Sequence, residues 1–282
     1  MTTQRLIRLA AALAMAAALA GCSLFGGGDD DDIALEDMPP GDIFQLGEAQ
    51  LADGKAIESA QTFNEIERLY PFSQLAKRAI IMSAFSSYTA GDFVSARSSA
   101  RRYLDLYPSD KDAAYAQHLI ALSYYDNIVD VGRDQGTTQR ALKALREVVS
   151  RYPDADFARD AQLKIDLTLD HLAGKEMEVG RYYLKRGHYA AAINRFRVVV
   201  DKYQTTSQTP EALHRMVEAN LALGLEREAL ASAAVLGHNY PGSDWYANSY
   251  ELLTGRNLLP EGADRDGFFD RVYRRVIQGK WL

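Results

Sequence analysis

Five stretches of this 282-residue chain obey one template, and a chain that repeats itself folds by stacking one unit against the next. The clearest copy runs from Gly187 to Gln204, GHYAAAINRFRVVVDKYQ; the others start at Gly54, Gly91, Gly136 and Gly224. In each, the glycine stands 17 positions before the closing residue: Pro71, Pro108, Pro153, Gln204 or Pro241. A tyrosine always precedes that residue, at positions 70, 107, 152, 203 and 240.

The columns between these ends describe a helix. Five positions after the glycine the residue is small (Ser59, Ala96, Ala141, Ala192, Ala229), and the ninth and twelfth positions are apolar. Phe63 with Ile66, Ala100 with Tyr103, Leu145 with Val148, Phe196 with Val199 and Ala233 with Leu236 fill them. Spacings of three and four put these on one helix face, and the proline ends the helix because it has no amide to donate. Except for a displaced third copy, an apolar segment of helical length precedes each glycine, as in IIMSAFSSYTA from Ile80 to Ala90. A helix pair of about 34 residues with a small residue in its first helix, a turn glycine and a closing proline is the tetratricopeptide pattern. Gly47, Ala84, Gly180 and Val217 take the small position, the last as a departure. The intervals are 37, 45, 51 and 37 residues, so the two long ones need insertions. These fall at Asn127–Gly136, where the helical period is lost, and in a lengthened helix over Asp156–Lys185, interrupted only by Gly174 and Gly180. The expected fold is all-α: a solenoid of five helix pairs, with one long helix or two collinear ones linking repeats three and four.

The ends read differently. Arg5 and Arg8 precede an apolar run from Leu9 to Ala20, too short to span a bilayer, which reads as an export signal covering residues 1–21. It closes in Leu19-Ala20-Gly21-Cys22, which resembles a bacterial lipobox, with Cys22 as the lipidated first mature residue. Cys22 is the only cysteine, so no internal disulfide can form, and Ser23 after it favours the outer membrane by resemblance to lipoprotein sorting rules. Losing Arg5 and Arg8 takes the formal charge from −6 to −8, which argues against nucleic acid as a partner. Residues 22–40, with GGGDDDD at Gly26–Asp32 and Met38-Pro39-Pro40, form a tether. Its aspartates lack EF-hand spacing and the terminal glutamate, so calcium is not expected. Residues 41–173 hold repeats one to three, 174–255 repeats four and five, and 256–282 an extension. Its FFDRVYRRVIQGKWL end either caps the last repeat or binds a partner, the cap being the expectation.

Signs of catalysis are absent from the sequence. His118, His171, His188, His214 and His238 form no HExxH and no metal-ligand spacing, and four of them are expected on surfaces or turns. Gly54-Lys55 lacks the rest of a phosphate loop, there is no GxSxG, and the carboxylates are scattered. The expectation is a protein that is not an enzyme and uses no cofactor or metal. A helical-pair solenoid offers instead a surface lined by its first helices. The turn glycine as a ruler places Phe44 and Glu48 there in repeat one, Arg78, Phe85 and Tyr88 in repeat two, and Tyr115, His118 and Tyr125 in repeat three. Aromatic platforms around a cation suit an extended peptide with bulky side chains and a carboxylate for Arg78 to meet.

The lipobox, tether, five YP-type repeats, displaced third repeat and lengthened middle helix together resemble the BamD (YfiO) family of outer membrane assembly lipoproteins. The resemblance implies a lipid-anchored scaffold on the periplasmic face of the outer membrane. It would receive unfolded outer membrane β-barrel proteins on repeats one to three and dock repeats four and five on the POTRA region of BamA, beside other assembly lipoproteins. The docking residues expected are Arg181, Lys185, His214 and Arg215, as exposed charges; where the family's docking arginine belongs, this chain has Thr209-Pro210-Glu211. The alternative is another repeat lipoprotein, a secretin pilotin or a coordinator of cell-wall synthesis.

Overall fold

A computed structural model describes residues 34–259, 267 and 271–274. The export signal, Cys22, the tether through Asp32 and the Trp281 end of the extension lie outside the described residues. No strand occurs among the described residues, and none of their helices is long and apolar enough to cross a membrane. After a 3-10 turn at Leu35–Asp37, the chain runs through α1 (Pro40–Ala52), α2 (Ala56–Leu69), α3 (Gln74–Thr89), α4 (Phe93–Leu106), α5 (Ala113–Tyr125) and α6 (Gly136–Arg151). It continues through α7 (Phe157–Lys185), α8 (Tyr189–Lys202), α9 (Thr209–Ala222), α10 (Glu226–Asn239) and α11 (Asp244–Thr254).

The template columns become the core. Ser59, Ala96, Ala141, Ala192 and Ala229 are all fully buried, and so is every ninth- and twelfth-position residue from Phe63 to Leu236. The five closing tyrosines are C-caps with nearly the same backbone, φ from −128° to −136° and ψ from 31° to 56°. Two of them tie back to the chain before them: Tyr70 donates its hydroxyl to the Met38 carbonyl at 2.6 Å and Tyr240 to that of Gln204 at 3.0 Å.

Helix pairs close by trading volume across the turn. A Cβ on Gly47 would lie 2.9 Å from the Phe63 ring, and one on Gly180 would lie 2.4 Å from that of Phe196. Where the ninth-position residue shrinks to alanine, the first helix can carry more: Ala84 shares a core with Ala100, and Val217 shares one with Ala233. The departure at Val217 is thus the complement of Ala233, and close packing is kept.

The turn glycines Gly54, Gly91, Gly187 and Gly224 adopt φ between +73° and +79°, a region side chains avoid. Gly136 does not. It is the first residue of α6, and the reversal before it is made by residues 126–135, so the third glycine of the template is no turn residue. Ala141, Leu145 and Val148 nevertheless keep the register, because burial of α6 and not the turn sets it.

The long helix is continuous over 29 residues and serves two cores. Ala161, Ile165 and Leu172 pack with repeats two and three, whereas Ala173 and Met177 pack with Phe196 and Val199. Along the stack, first helices touch one another: α1 meets α3, α3 meets α5, α5 meets α7 and α9 meets α11. No comparable contact joins α2, α4, α6, α8 and α10 to one another, so the first helices form the inner wall and the second helices splay outside. Between α7 and α9 the backbones stand further apart, and the two helices meet through side chains, with Met177 and Ala212 in one core and Arg181 bonded to Glu211. The template does not isolate α11, whose Tyr246 and Leu253 cover the fifth pair together with Leu258, Leu259, Val272 and Tyr273.

Candidate functional site

On the inner wall, α3, α5 and α7 bring a strip of rings together. Tyr115 lies 5.4 Å from Phe157 between ring centroids, and His118 stacks on the same Phe157 at 4.9 Å. The Lys164 ammonium sits 5.5 Å from the Tyr125 ring centre and pairs with Asp160 at 2.5 Å. Asp160 in turn lies 3.6 Å from His118 Nε2. At the upper end Tyr88 donates its hydroxyl to Asp126 and packs obliquely on Phe93 at 6.0 Å. Tyr115 and His118 from α5 meet Phe157 from α7 because α5 and α7 are neighbouring first helices, and the Asp160–Lys164 pair is one helical turn further on.

Burial sets the electrostatics of this strip. Burial pushes the Tyr88 and Tyr115 phenols up, with Asp126 adding to the effect at Tyr88, so both are neutral donors. Burial also pushes the His118 imidazole below its usual 6.5; Asp160 opposes this and Lys164 reinforces it. His118 is 6 % exposed and its Nδ1 has no protein partner, which leaves a polar atom unsatisfied inside the ring cluster.

The residues expected on this wall do not all stand there as open platforms. Phe44 is 5 % exposed, packed edge-on against Phe63 at 5.1 Å, with the Arg78 guanidinium laid over it at 4.8 Å. It belongs to the first repeat's core, and its outward feature is Arg78, which is exposed and has no carboxylate partner among the described residues. Phe85 is half-buried against the second core, and Glu48 is exposed without a resolved role. Phe157, Asp160 and Lys164 complete the strip and are not among the expected residues; the i,i+4 charge pair at 160 and 164 was their only trace in the sequence.

Where α7 and α9 part, a cleft of about 560 Å³ opens between Arg181, Leu184, Lys185, Arg215, Glu218 and Leu252. The gap is bridged by ions. Arg181 donates to both oxygens of Glu211 at 2.9 and 2.5 Å, and Arg215 reaches Glu211 at 3.2 Å and Glu218 at 2.8 Å. His214 contacts Ser249 at 2.8 Å through Nδ1 and Glu218 at 3.5 Å through Nε2, and Trp245 lies against both His214 and Arg215, at 5.3 and 5.2 Å. Burial alone would push Glu211 and Glu218 up, but Arg181, Arg215 and His214 outweigh it and hold both below the carboxylate range.

His214 is therefore not an exposed charge. It is 5 % exposed and stands behind Arg215, because Ser249 and Trp245 of α11 cover it. Two of the five histidines, His118 and His214, are core residues, fewer on the surface than the sequence suggests, since each has a ring to stack on. Lys185 is exposed at the cleft rim. Among the described residues no group of three or more His, Cys, Asp or Glu could hold a metal ion.

The model of the YfiO family, described as an outer membrane lipoprotein, matches residues 36–249. The chain belongs to the YfiO family. Among curated relatives, an outer membrane protein assembly factor BamD of Caulobacter vibrioides is 45% identical over 250 residues, covering 89% of this chain and 81% of its own. That of Rickettsia prowazekii is 40% identical, covering 87% of this chain and 96% of its own, and that of Neisseria meningitidis serogroup A is 27% identical, covering 83% and 91%. Among solved structures, a thermophilic tetratricopeptide-repeat protein of Thermus thermophilus aligns at 17% identity with a TM-score of 0.33, over 78% of this chain and all of that one. The match to the YfiO family runs from the 3-10 turn to the middle of α11, so it takes in the ring strip and the charged side chains from Arg181 to Ser249, while Leu252 at the cleft lies just past its end.

Proposed function

We propose that this chain is an outer membrane protein assembly factor acting as a scaffold without catalysis, held at the periplasmic face by lipid on Cys22. The observation that carries this reading is the ring strip on α3, α5 and α7. Tyr88, Tyr115 and Tyr125 offer amphipathic platforms and Phe157 an apolar one, with Lys164 among them and Arg78, which has no carboxylate partner among the described residues, beyond. An extended segment of an unfolded barrel protein, ending in an aromatic residue and a free carboxylate, has the chemistry to fill it. The rings lose little entropy on contact, while the captured segment loses much, so affinity is moderate and release is possible.

The ion-bridged cleft of α7, α9 and α11 serves as the dock for the POTRA region of BamA. Thr209-Pro210-Glu211 stands where the family resemblance places an arginine, and of these Glu211 grips two arginines of this chain. By fixing Arg181 and Arg215 it presents two guanidiniums in set positions, which favours one partner geometry over many. Scaffolding then means that one rigid stack brings captured chain and docked partner to a fixed separation.

The test uses a fluorescent peptide carrying a barrel protein's C-terminal aromatic signal, and a purified POTRA domain. Tyr88→Ala with Phe157→Ala weakens the peptide by about tenfold or more and leaves the POTRA domain bound. Peptide affinity unchanged by that pair removes the strip as the receiving surface. Turnover of an ester or peptide substrate by the pure chain would remove the scaffold reading altogether.

A further inference from the structure

The splayed second helices leave a groove on the outer side, between α4 and α6 and floored by α5, with a volume of about 400 Å³. Four cations line it, Arg101, Arg140, Lys143 and Arg151, against two carboxylates, Asp105 and Glu147. It continues into a hollow of about 490 Å³ that shares Arg101, Asp105 and Tyr124 with it and adds Arg97 and Arg102. In a chain of formal charge −6, this concentration of positive charge runs against the whole-molecule balance.

The charges are also unspent. Arg102 pairs with Glu67 at 2.8 Å, but Arg101, Arg140 and Lys143 make no ion pair among the described residues. Glu147 is already engaged by the Gln117 amide at 3.2 Å. Arg97 stacks on the Tyr124 ring at 4.4 Å and donates to the Ser123 carbonyl at 3.1 Å, while Arg101 donates to the Tyr124 hydroxyl at 2.7 Å. Two guanidiniums thus hold Tyr124 as a fixed plate at the junction of the two hollows.

We propose that this groove binds an extended acidic segment of a partner protein, with carboxylates at alternate positions. Spacing supports that chemistry. Arg97 and Arg101 are four residues apart on α4, a rise of about 6 Å, close to the roughly 6.6 Å between alternate side chains of an extended strand. Guanidinium forks match carboxylates, and the apolar floor of Leu104, Ile120 and Ala144 takes the intervening side chains. Asp105 and Glu147, set among the cations, repel an unbroken polyanion and so favour a peptide over a phosphate-bearing surface.

This surface is independent of the ring strip. On α5, Gln117, Ile120 and Tyr124 face the groove, whereas Tyr115, His118 and Tyr125 occupy the other side of the same helix.

The experiment measures fluorescence anisotropy of a labelled peptide alternating glutamate and threonine, titrated with the full-length chain. The expected result is binding that weakens steeply with salt and falls by about tenfold or more in Arg101→Glu with Lys143→Glu. A peptide of the same composition with its glutamates in one block binds more weakly. The neutral pair Arg101→Gln with Lys143→Gln moves affinity in the same direction and stands in if charge reversal impairs folding by circular dichroism. Tyr88→Ala with Phe157→Ala leaves this probe bound. Absence of binding, equal binding by the charge variants, equal affinity for the blocked peptide, or loss with the Tyr88 and Phe157 pair overturns the proposal. So does loss of phosphatidylglycerol vesicle binding in the charge variants while peptide binding stays, which would identify a membrane surface.

Discussion

The two ends of the inner wall are built from the same helix pairs and finished in opposite ways. On α3, α5 and α7 the surface is made of rings with one neutral, unsatisfied imidazole and a nearby arginine that has no carboxylate partner among the described residues. On α7, α9 and α11 the charges close on each other, from Arg181 through Glu211, Arg215 and Glu218 to His214 and Ser249. Rings tolerate many occupants, because contact with their faces and edges demands no fixed hydrogen-bond pattern. A closed ion network presents its donors in one arrangement. One repeat architecture can therefore carry an adaptable surface and a preset one, and α7 joins them in a single rigid rod.

Substitutions in the pairs that close each repeat test whether the two halves are equally tight. Gly180→Ala costs about 2–3 kcal/mol and Gly47→Ala about 1 kcal/mol in chemical denaturation, because the added Cβ would approach the facing ring at 2.4 Å in one and 2.9 Å in the other. Equal costs would mean that Phe196 can swing aside. Glu211→Ala costs about 1–2 kcal/mol, since it leaves Arg181 and Arg215 without their shared partner, and it abolishes measurable docking of a POTRA domain while peptide binding at the ring strip stays. Phe157→Ala does the reverse, costing about 1–1.5 kcal/mol in peptide affinity, read by titration, with docking unchanged.

The smallest effect separates the halves by pH. His118 titrates below 6.5 in the folded chain, so the unfolded chain takes up the proton first; its contribution is complete above 6.5 and is lost as pH falls below it. Glu211 and Glu218 lie below their usual 4.5, so their contribution is complete above that value and is lost only in more acid solution. Urea midpoints of the His118→Leu variant should lose the first decline and keep the second.

The fold was legible because the packing columns are local. Phe63, Leu145 and Phe196 advertise their burial through spacing within one helix, and the proline-free run after Asp156 pointed to one long helix or two collinear ones, of which the single helix α7 formed. The turn at Gly136 misled because glycine in sequence does not tell whether φ is positive, and a loop of residues 126–135 took over the reversal. The site was legible only by half. Tyr88, Tyr115, His118 and Tyr125 follow from counting along first helices, but Phe157, Asp160 and Trp245 come from helices one repeat further on. Counting within a unit cannot see across the interface between units: His214 read as exposed although Ser249 and Trp245 of α11 cover it, and Phe44 turned inward onto Phe63 of its own pair, with Arg78 of the next laid over it.

By itself the sequence determined the unit, its number and the volume trade between glycine and phenylalanine or valine and alanine, since these depend on contacts inside one helix pair. Tertiary structure alone decided which charges found partners, which were left open on the outer groove, and where the first helices parted to leave a cleft. Those outcomes depend on the angle between successive pairs, and no single pair contains it.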